Sequence, residues 1–202
     1  MIRNLLFDLG GVIMDIERSR CVDAFVELGI EDAGEMLGDY VQSGPFRLIE
    51  SGEIDAAGFR DEIRRIAGRD IPDAKIDEAF EAFLVEIPEH RLRHLKRLRK
   101  HYWTYLLSNT NPIMWNSKIR NEFSKLGHSL GYYFDGALTS FEAKVMKPDE
   151  RIFRYAIERF DIKPAETLFL DDSQDNIDAA ASLGFQTLLV PHGKEFVAFL
   201  PR

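Results

Sequence analysis

Residues 5–17 read LLFDLGGVIMDIE, and this stretch decides the fold. An apolar run ends on Asp8, and two glycines follow after a single leucine. The run is continuous rather than alternating between polar and apolar residues, which is typical of a parallel strand covered on both faces. Open parallel sheets bind their ligands beyond the carboxyl ends of their strands. The stretch therefore predicts an α/β protein that carries Asp8 at the ligand-binding edge of its sheet.

Three further apolar runs have the same character. They are short, unbroken and rich in branched or aromatic residues, and with the first run they predict strands at 4–7, 103–107, 167–170 and 186–190. Apolar residues recur every three or four positions between them, which predicts helices over 89–102, 150–160 and 175–183. Strands that alternate with helices indicate a doubly wound, Rossmann-like parallel sheet with helices on both faces.

The segment between the first two predicted strands has a different pattern. Residues 16–88 contain helical periodicity, at 18–28, 55–67 and 75–85, but no convincing strand. This pattern predicts a helical insertion after the first strand. The α/β core would then consist of residues 1–15 together with residues 89–202.

The composition is that of an ordinary globular protein, with 45% apolar and 30% charged residues. A formal charge of −8 disfavours binding to nucleic acid or to anionic membranes, and we interpret the basic run at 90–101 as a solvated helix face. No segment approaches the roughly 18 apolar residues of a membrane helix. Cys21 is the only cysteine, which favours a reducing compartment. We therefore expect a cytoplasmic monomer or homodimer without nucleic-acid or membrane partners.

Acidic residues close two of the predicted strands. Asp8 follows the first strand, and Asp171 and Asp172 follow the run TLFL. If these strands are neighbours, three carboxylates converge on one crevice, where their negative charges repel strongly. A divalent cation relieves that repulsion, and ligands that are all oxygen atoms favour Mg²⁺. The sequence therefore predicts a Mg²⁺ site that is formed by these three aspartates.

Other polar residues are expected at the same edge. Ser108 and Asn109 follow the second strand, and Lys147 precedes a proline in a sequence that suits a helix start. An ammonium group and free backbone N–H groups are suited to hold a phosphate. A carboxylate such as Asp8 can attack phosphorus, and phosphoryl transfer also needs a metal and donors around the phosphoryl oxygens. The set predicts phosphoryl transfer.

Four segments in this order resemble the motifs of the haloacid dehalogenase superfamily: FDLGGVI (7–13), LLSNT (106–110), MKPDE (146–150) and LFLDDSQDNI (168–177). They extend over nearly the whole chain, and four ordered motifs are far more specific than any one of them. The segments SGEID, LSNTN, KPDERIF and DDSQDNI are more closely similar to bacterial α-D-glucose-1-phosphate phosphatases.

The resemblance implies a phosphatase that forms an aspartyl-phosphate, acts on small metabolites such as sugar phosphates, and carries a small all-helical cap domain at 16–88. Asp172 is the stronger metal ligand by motif and Asp171 the weaker. The implied roles are nucleophile for Asp8, Mg²⁺ binding for Asp8, Asp171, Asp172 and the Gly10 carbonyl, phosphate binding for Ser108 and Asn109, and charge balance and substrate binding for Lys147.

Gly10 departs from the superfamily pattern, in which most phosphatases have an aspartate at this position. That aspartate serves as general acid and base, a function worth about 10²–10⁴-fold in rate. The glucose-1-phosphate phosphatases also carry glycine there, so activity is still expected. Gly10 and Gly11 would both serve a tight turn beside the substrate. Asp15, water and a substrate hydroxyl remain alternatives for the missing acid.

Two rival functions stay open at this point. One is a haloacid dehalogenase, which attacks carbon instead of phosphorus and needs neither a metal nor an aspartate at position 10. The other is a phosphate- or sugar-binding protein that has lost turnover together with the acid–base residue.

Overall fold

A computed structural model describes residues 1–38, 42–191 and 193–200 of the chain. Residues 39–41 of the predicted insertion, and 192 and 201–202 of the predicted core, lie outside the described residues. The strands of the described part are β1 (Asn4–Phe7), β2 (Trp103–Ser108), β3 (Gly136–Thr139), β4 (Thr167–Asp171) and β5 (Gln186–Leu189).

These strands form a parallel sheet in the order β3-β2-β1-β4-β5. The prediction of a parallel α/β fold is confirmed, and each of the four predicted strands is present. β3 is not predicted from the sequence, because its residues GALT include a glycine and an alanine and make no distinct apolar run. β1 lies at the centre of the sheet, between β2 and β4.

The described part of the predicted insertion contains the helices α1 (Arg18–Glu27), α2 (Ala33–Met36), α3 (Gly44–Glu50), α4 (Ala56–Ala67) and α5 (Asp73–Glu81). The predicted helical patterns of the insertion correspond to α1, α4 and α5. α2 and α3 are not predicted, because segments of four and seven residues are too short to reveal a helical period.

The insertion has an aromatic core. The rings of Phe25, Phe46, Phe59 and Phe80 lie 4.8–6.3 Å apart, centroid to centroid. Edge-on and offset-stacked pairs of this kind contribute beyond the area that they bury. The four helices that carry these rings, α1, α3, α4 and α5, therefore hold together around a shared cluster.

The two segments that connect the insertion to the sheet pair with each other. The Asp15 N–H donates to the Glu86 carbonyl and the Val85 N–H donates to the Asp15 carbonyl, each at 2.8 Å. Ile16 and Leu84 form an isolated antiparallel bridge beside them. These bonds lie close to the predicted boundaries at residues 15 and 88, which stay predictions.

The remaining helices are α6 (Glu89–Leu98), α7 (Pro112–Met114), α8 (Arg120–Ser124), α9 (Ser140–Ala143), α10 (Glu150–Phe160) and α11 (Gln174–Ser182). A π-helical segment, Trp115–Ile119, joins α7 to α8. The predicted helices of the core correspond to α6, α10 and α11. Within the described ranges, no helix combines the length and the apolar character needed to span a bilayer.

Both faces of the sheet are covered. Leu5 and Phe7 of β1 pack on the face that also buries Leu95 of α6. Leu6 points to the opposite face and packs in the cluster that contains Phe153 of α10. Alternate residues of one strand thus enter two different cores, which explains why β1 reads as a continuous apolar run. The carboxyl ends of the strands are left as the edge at which polar side chains gather.

Candidate active site

The central strands bring two aspartates side by side. Phe7 of β1 pairs in register with Leu170 of β4, so Asp8 lies beside Asp171. The Asp8 N–H donates to the Leu170 carbonyl at 2.8 Å and extends the ladder by one residue. β2 and β3 follow on one side of β1, and β4 and β5 lie on the other, so this edge is a topological switch point.

The structure brings the three predicted acids and Lys147 together. One carboxylate oxygen from each of Asp8, Asp171 and Asp172 lies within 4.8 Å of the other two. The Lys147 Nζ atom donates to Asp8 Oδ1 at 2.7 Å and to Asp171 Oδ2 at 2.6 Å. Three ionised carboxylates and one ammonium group carry a formal charge of minus two, which a single divalent cation balances.

Electrostatics of the cluster also fit a cation. Burial raises the pKa of Asp8 to about 7; Lys147 opposes the shift, while Asp171 and Asp172 add to it. Burial by itself would lower the pKa of Lys147, but the charges and hydrogen bonds of Asp171 and Asp8 outweigh it and raise that pKa. The donors are carboxylate oxygens, which suit Mg²⁺.

Asp171 and Asp172 face different surroundings. Asp171 is fully buried, and its oxygens accept hydrogen bonds from Lys147 Nζ, from the Ser173 N–H at 2.9 Å and from Asn176 Nδ2 at 3.0 Å. Asp172 is half-buried and lines the same cleft as Asp8. Of the three clustered aspartates, Asp8 and Asp172 therefore line the cleft, and Asp171 is buried behind them, where it binds Lys147.

Asn109 ties the loop after β2 to Lys147. Its Nδ2 atom donates to the Lys147 carbonyl and its Oδ1 atom accepts from the Lys147 N–H, both at 2.9 Å. Ser108 is buried, and its hydroxyl donates to the Asn109 carbonyl at 3.3 Å. The structure thus places Ser108 and Asn109 at the predicted edge. Their role in phosphate binding stays a prediction.

The position of Lys147 differs in one respect from the expectation that it begins a helix. α10 begins at Glu150, and Asp149 caps it by accepting a hydrogen bond from the Arg151 N–H at 2.9 Å. Lys147 therefore lies in the loop before Asp149, where two hydrogen bonds from the Asn109 side chain hold its backbone.

The two glycines after Asp8 are not equivalent, contrary to the expectation that both serve the turn. Gly11 has a φ of 71°, and a Cβ atom there would lie 2.2 Å from Asp172 Oδ2. Gly10 is outside the left-handed region, and a Cβ atom would meet only Ile16 Cγ2, at an ordinary 3.5 Å. Backbone conformation and space thus require glycine at position 11, and neither requires it at position 10.

Asp15 is poorly placed to replace the missing acid. Arg91 Nη1 donates to Asp15 Oδ1 at 2.7 Å, and the same guanidinium donates twice to Glu195 at 3.0 Å. Asp15 is not among the described residues that line the cleft. This carboxylate therefore belongs to an ion-pair network beside the cleft.

The cleft includes two polar residues that the sequence motifs do not identify. It has a volume of about 110 Å³ and passes from Asp8, Asp172 and Lys147 to Gln42 and Glu50 of the insertion. A second, more apolar lobe shares the residues Gly10, Ile16, Gln42, Glu50, Phe83 and Asn109 with it. No local pattern marks Gln42 or Glu50, because polar residues at helix ends are usually solvated.

Comparison with known proteins gives consistent matches. A family model described as haloacid dehalogenase-like hydrolase matches residues 2–184. The chain is 38% identical over 196 residues to a D-ribitol-5-phosphate phosphatase of Bacteroides thetaiotaomicron. This alignment covers 97% of this chain and 95% of that protein.

Solved structures are similar over the full length. A HAD family enzyme from Bacteroides thetaiotaomicron, in complex with magnesium and inorganic phosphate, has a TM-score of 0.93 and 38% identity, with 100% of both chains covered. A predicted HAD-like family hydrolase from Porphyromonas gingivalis has a TM-score of 0.92 and 35% identity, with 98% of this chain and 96% of that chain covered.

Proposed function

The chain belongs to the haloacid dehalogenase-like hydrolases. On this premise we propose that it is a Mg²⁺-dependent phosphatase of small phosphorylated metabolites. We propose polyol and sugar phosphates as its substrate class. One observation carries the proposal: Lys147 bridges Asp8 and Asp171 at a sheet edge where Asp8 and Asp172 face a cleft. Two relatives support it, since one is named for a polyol phosphate and another was solved with magnesium and phosphate.

The cation site would consist of Asp8, Asp172 and the Gly10 carbonyl. All three residues line the cleft, and their donor atoms are oxygens. Asp171, whose oxygens already accept hydrogen bonds, is a helper that keeps Lys147 in place. When bound, Mg²⁺ neutralises charge on the phosphate group.

Asp8 is the nucleophile in this proposal. A carboxylate oxygen of Asp8 attacks phosphorus, the bond from phosphorus to the ester oxygen breaks, and the ester oxygen takes a proton from water as the alcohol leaves. Water then cleaves the aspartyl-phosphate and releases inorganic phosphate. Lys147, at 2.7 Å from Asp8 Oδ1, favours the ionised form that attacks and balances the charge of the intermediate. Ser108 and Asn109 lie beside it to receive phosphoryl oxygens.

The helical insertion acts as the cap in this proposal. It contributes Gln42, Glu50 and Phe83 to the walls of the cleft, opposite the carboxyl ends of the strands. Side chains in that position exclude water from the reacting groups and contact the leaving alcohol instead of the phosphate.

A phosphate-release assay tests the proposal. D-ribitol 5-phosphate, α-D-glucose 1-phosphate and p-nitrophenyl phosphate are offered with Mg²⁺; EDTA should abolish turnover and added Mg²⁺ should restore it. Asp8→Asn should lose at least about 10³-fold in kcat, because the nucleophile is gone. Asp23→Asn, at an exposed position on α1, is the matched control.

Three results would contradict the proposal. Full activity in Asp8→Asn would exclude the assigned nucleophile. Hydrolysis of 2-chloropropionate in EDTA, without phosphatase activity, would favour the dehalogenase alternative. Saturable binding of phosphate esters without turnover would favour the non-catalytic alternative.

A further inference from the structure

Two polar side chains of the insertion face the cleft with unused hydrogen-bonding capacity. Gln42 and Glu50 are each only 8% exposed. Both line the polar lobe that contains Asp8 and Lys147, and both line the adjoining apolar lobe. They therefore lie where the part of a substrate beyond its phosphate group would be held.

Gln42 lines the cleft and carries an acceptor that no described residue uses. Its Nε2 atom donates to the Gly38 carbonyl at 3.4 Å, and because a carbonyl can only accept, this contact sets the orientation of the amide. Its Oε1 atom is buried and finds no hydrogen-bond donor among the described residues. A buried amide oxygen without a partner is uncommon in folded proteins, which indicates that a ligand supplies the donor.

Glu50 is a carboxyl group without a cation beside it. In the described parts of the chain no lysine, arginine or histidine pairs with it, and burial raises its pKa to about 8. It is also the last residue of α3, where the helix dipole disfavours a negative charge. At neutral pH the group is therefore mainly a carboxylic acid, which has one O–H donor and a carbonyl acceptor.

These two groups select among possible ligand groups. A hydroxyl both donates and accepts, so it satisfies Gln42 Oε1 and either oxygen of Glu50. A carboxylate only accepts, so it would face the Gln42 oxygen with no hydrogen to share. Ile16 and Phe83, which line both lobes, provide apolar surface for the carbon chain that carries the hydroxyls.

We propose that Gln42 and Glu50 bind hydroxyl groups of the leaving alcohol, and that the enzyme thereby prefers neutral polyol phosphates to phosphate esters whose alcohol carries a carboxylate. This inference rests on the proposed phosphatase function. It assigns the specificity to two residues of the insertion, apart from the groups that act on phosphorus.

A matched pair of substrates tests the inference. D-ribitol 5-phosphate and D-ribonate 5-phosphate differ only in a terminal hydroxymethyl group that is oxidised to a carboxylate. The parent should have the higher kcat/KM on the ribitol ester. Gln42→Leu and Glu50→Leu should each lower that kcat/KM by about 10- to 100-fold, mostly through KM, because a buried hydrogen bond to substrate is lost. Hydrolysis of p-nitrophenyl phosphate, which has no hydroxyl to bind, should fall much less.

Two further variants serve as a conservative replacement and as a control. Glu50→Gln keeps a donor and an acceptor and should retain most of the preference for the ribitol ester. Glu35→Leu, at an exposed position on α2, is the control for placing a leucine in the insertion. Thermal melts of every variant report folding, and Gln42→Leu provides an independent test if Glu50→Leu does not fold.

Three results would overturn the inference. One is an equal loss on the ribitol ester and on p-nitrophenyl phosphate in folded leucine variants, since the residues would then act on the chemistry. Another is a parent enzyme that prefers the ribonate ester. The third is the absence of phosphate release from every ester by the parent, which refutes the proposed function and, with it, this inference.

Discussion

At the scale of single residues, the two glycines after Asp8 show how closely the backbone approaches the acids. Gly11 lies against Asp172, and no side chain fits between them. Gly10 has room for a Cβ atom beside Ile16. Neither the backbone conformation nor the space for a Cβ atom therefore explains the glycine at position 10.

We predict that Gly11→Ala weakens metal binding far more than Gly10→Ala. The added methyl group at position 11 must displace the Asp172 carboxylate, and its φ of 71° adds strain. The Mg²⁺ concentration for half-maximal activity should rise by about 10- to 100-fold, as when a supporting contact of a metal ligand is lost. A Mg²⁺ titration of p-nitrophenyl phosphate hydrolysis measures it. Similar midpoints in the two variants would contradict the assignment of Asp172.

Glu50 leads to a prediction about stability and pH. Its pKa is raised from 4.5 to about 8 by burial, so the folded protein holds a proton that the unfolded chain releases between these values. The stability contributed by that proton is fully present below pH 4.5 and is lost as the pH rises through 8.

The Glu50→Gln side chain is neutral at every pH. The free energy of unfolding of this variant should therefore increase relative to that of the parent as the pH rises. This relative gain is at most about 1.4 kcal/mol per pH unit between the two pKa values, which is the limit for one proton. Water in the cleft hydrates part of the Glu50 carboxyl group and reduces the gain. Urea unfolding at pH 5, 7 and 8.5 measures this difference. A difference that stays constant with pH would show that Glu50 is ionised in the folded protein at neutral pH.

At the scale of secondary-structure elements, the segment that holds Glu50 is anchored to the core by its following turn. Gly52 has a φ of 68°, and a Cβ atom there would lie 2.3 Å from the carbonyl oxygen of Phe141 in α9. The end of α3 thus packs directly on the helix that follows β3. This contact sets the distance between Glu50 and the edge of the sheet.

We predict that Gly52→Ala is more destabilising than Gly68→Ala. The two glycines have nearly the same φ, 68° and 64°, but nothing lies within 4 Å of a Cβ atom at Gly68. Gly68→Ala should cost about 1 kcal/mol for the left-handed conformation alone, and Gly52→Ala about 2–4 kcal/mol because the backbone of α9 must also move. Denaturant unfolding compares them, and equal costs would refute the anchoring contact.

At the scale of the whole molecule, the charge at the edge of the sheet couples metal binding to stability. Asp8, Asp171 and Asp172 approach within 4.8 Å only in the folded chain, and Lys147 offsets one of their charges. Because the unfolded chain has no such cluster, a cation binds the folded state selectively and stabilises it.

We predict that saturating Mg²⁺ raises the melting temperature of the parent by on the order of 5 °C. Ligand at 100 times its Kd contributes about 2.7 kcal/mol, and a chain of this size gains about 2–4 °C per kcal/mol. Asp172→Asn should lose most of the shift, whereas Asp178→Asn, exposed on α11, should keep it. Differential scanning calorimetry in Mg²⁺ and in EDTA measures the shift, and an unchanged shift in Asp172→Asn would contradict its role as a ligand.

Much of the fold follows from local sequence. The continuous apolar runs predict β1, β2, β4 and β5, and helical periodicity predicts α10 with its observed bounds. Elements without a distinct local pattern are missed: the residues GALT of β3 make no apolar run, and α2 and α3 are too short to show a period. Residues are assigned well where their own neighbours in sequence determine their conformation.

The sequence by itself determined the parallel α/β class, the order of its motifs, and the position of Asp8, Asp171 and Asp172 at the carboxyl ends of strands, which meet at one edge when those strands are neighbours. Only the tertiary structure decided which glycine the backbone requires, that Arg91 holds Asp15 away from the cleft, and that Gln42 and Glu50 face it. These features depend on packing between segments that are distant in the chain. No local periodicity or turn signal records such packing, so the lining of the cleft becomes visible only when the insertion is folded against the sheet.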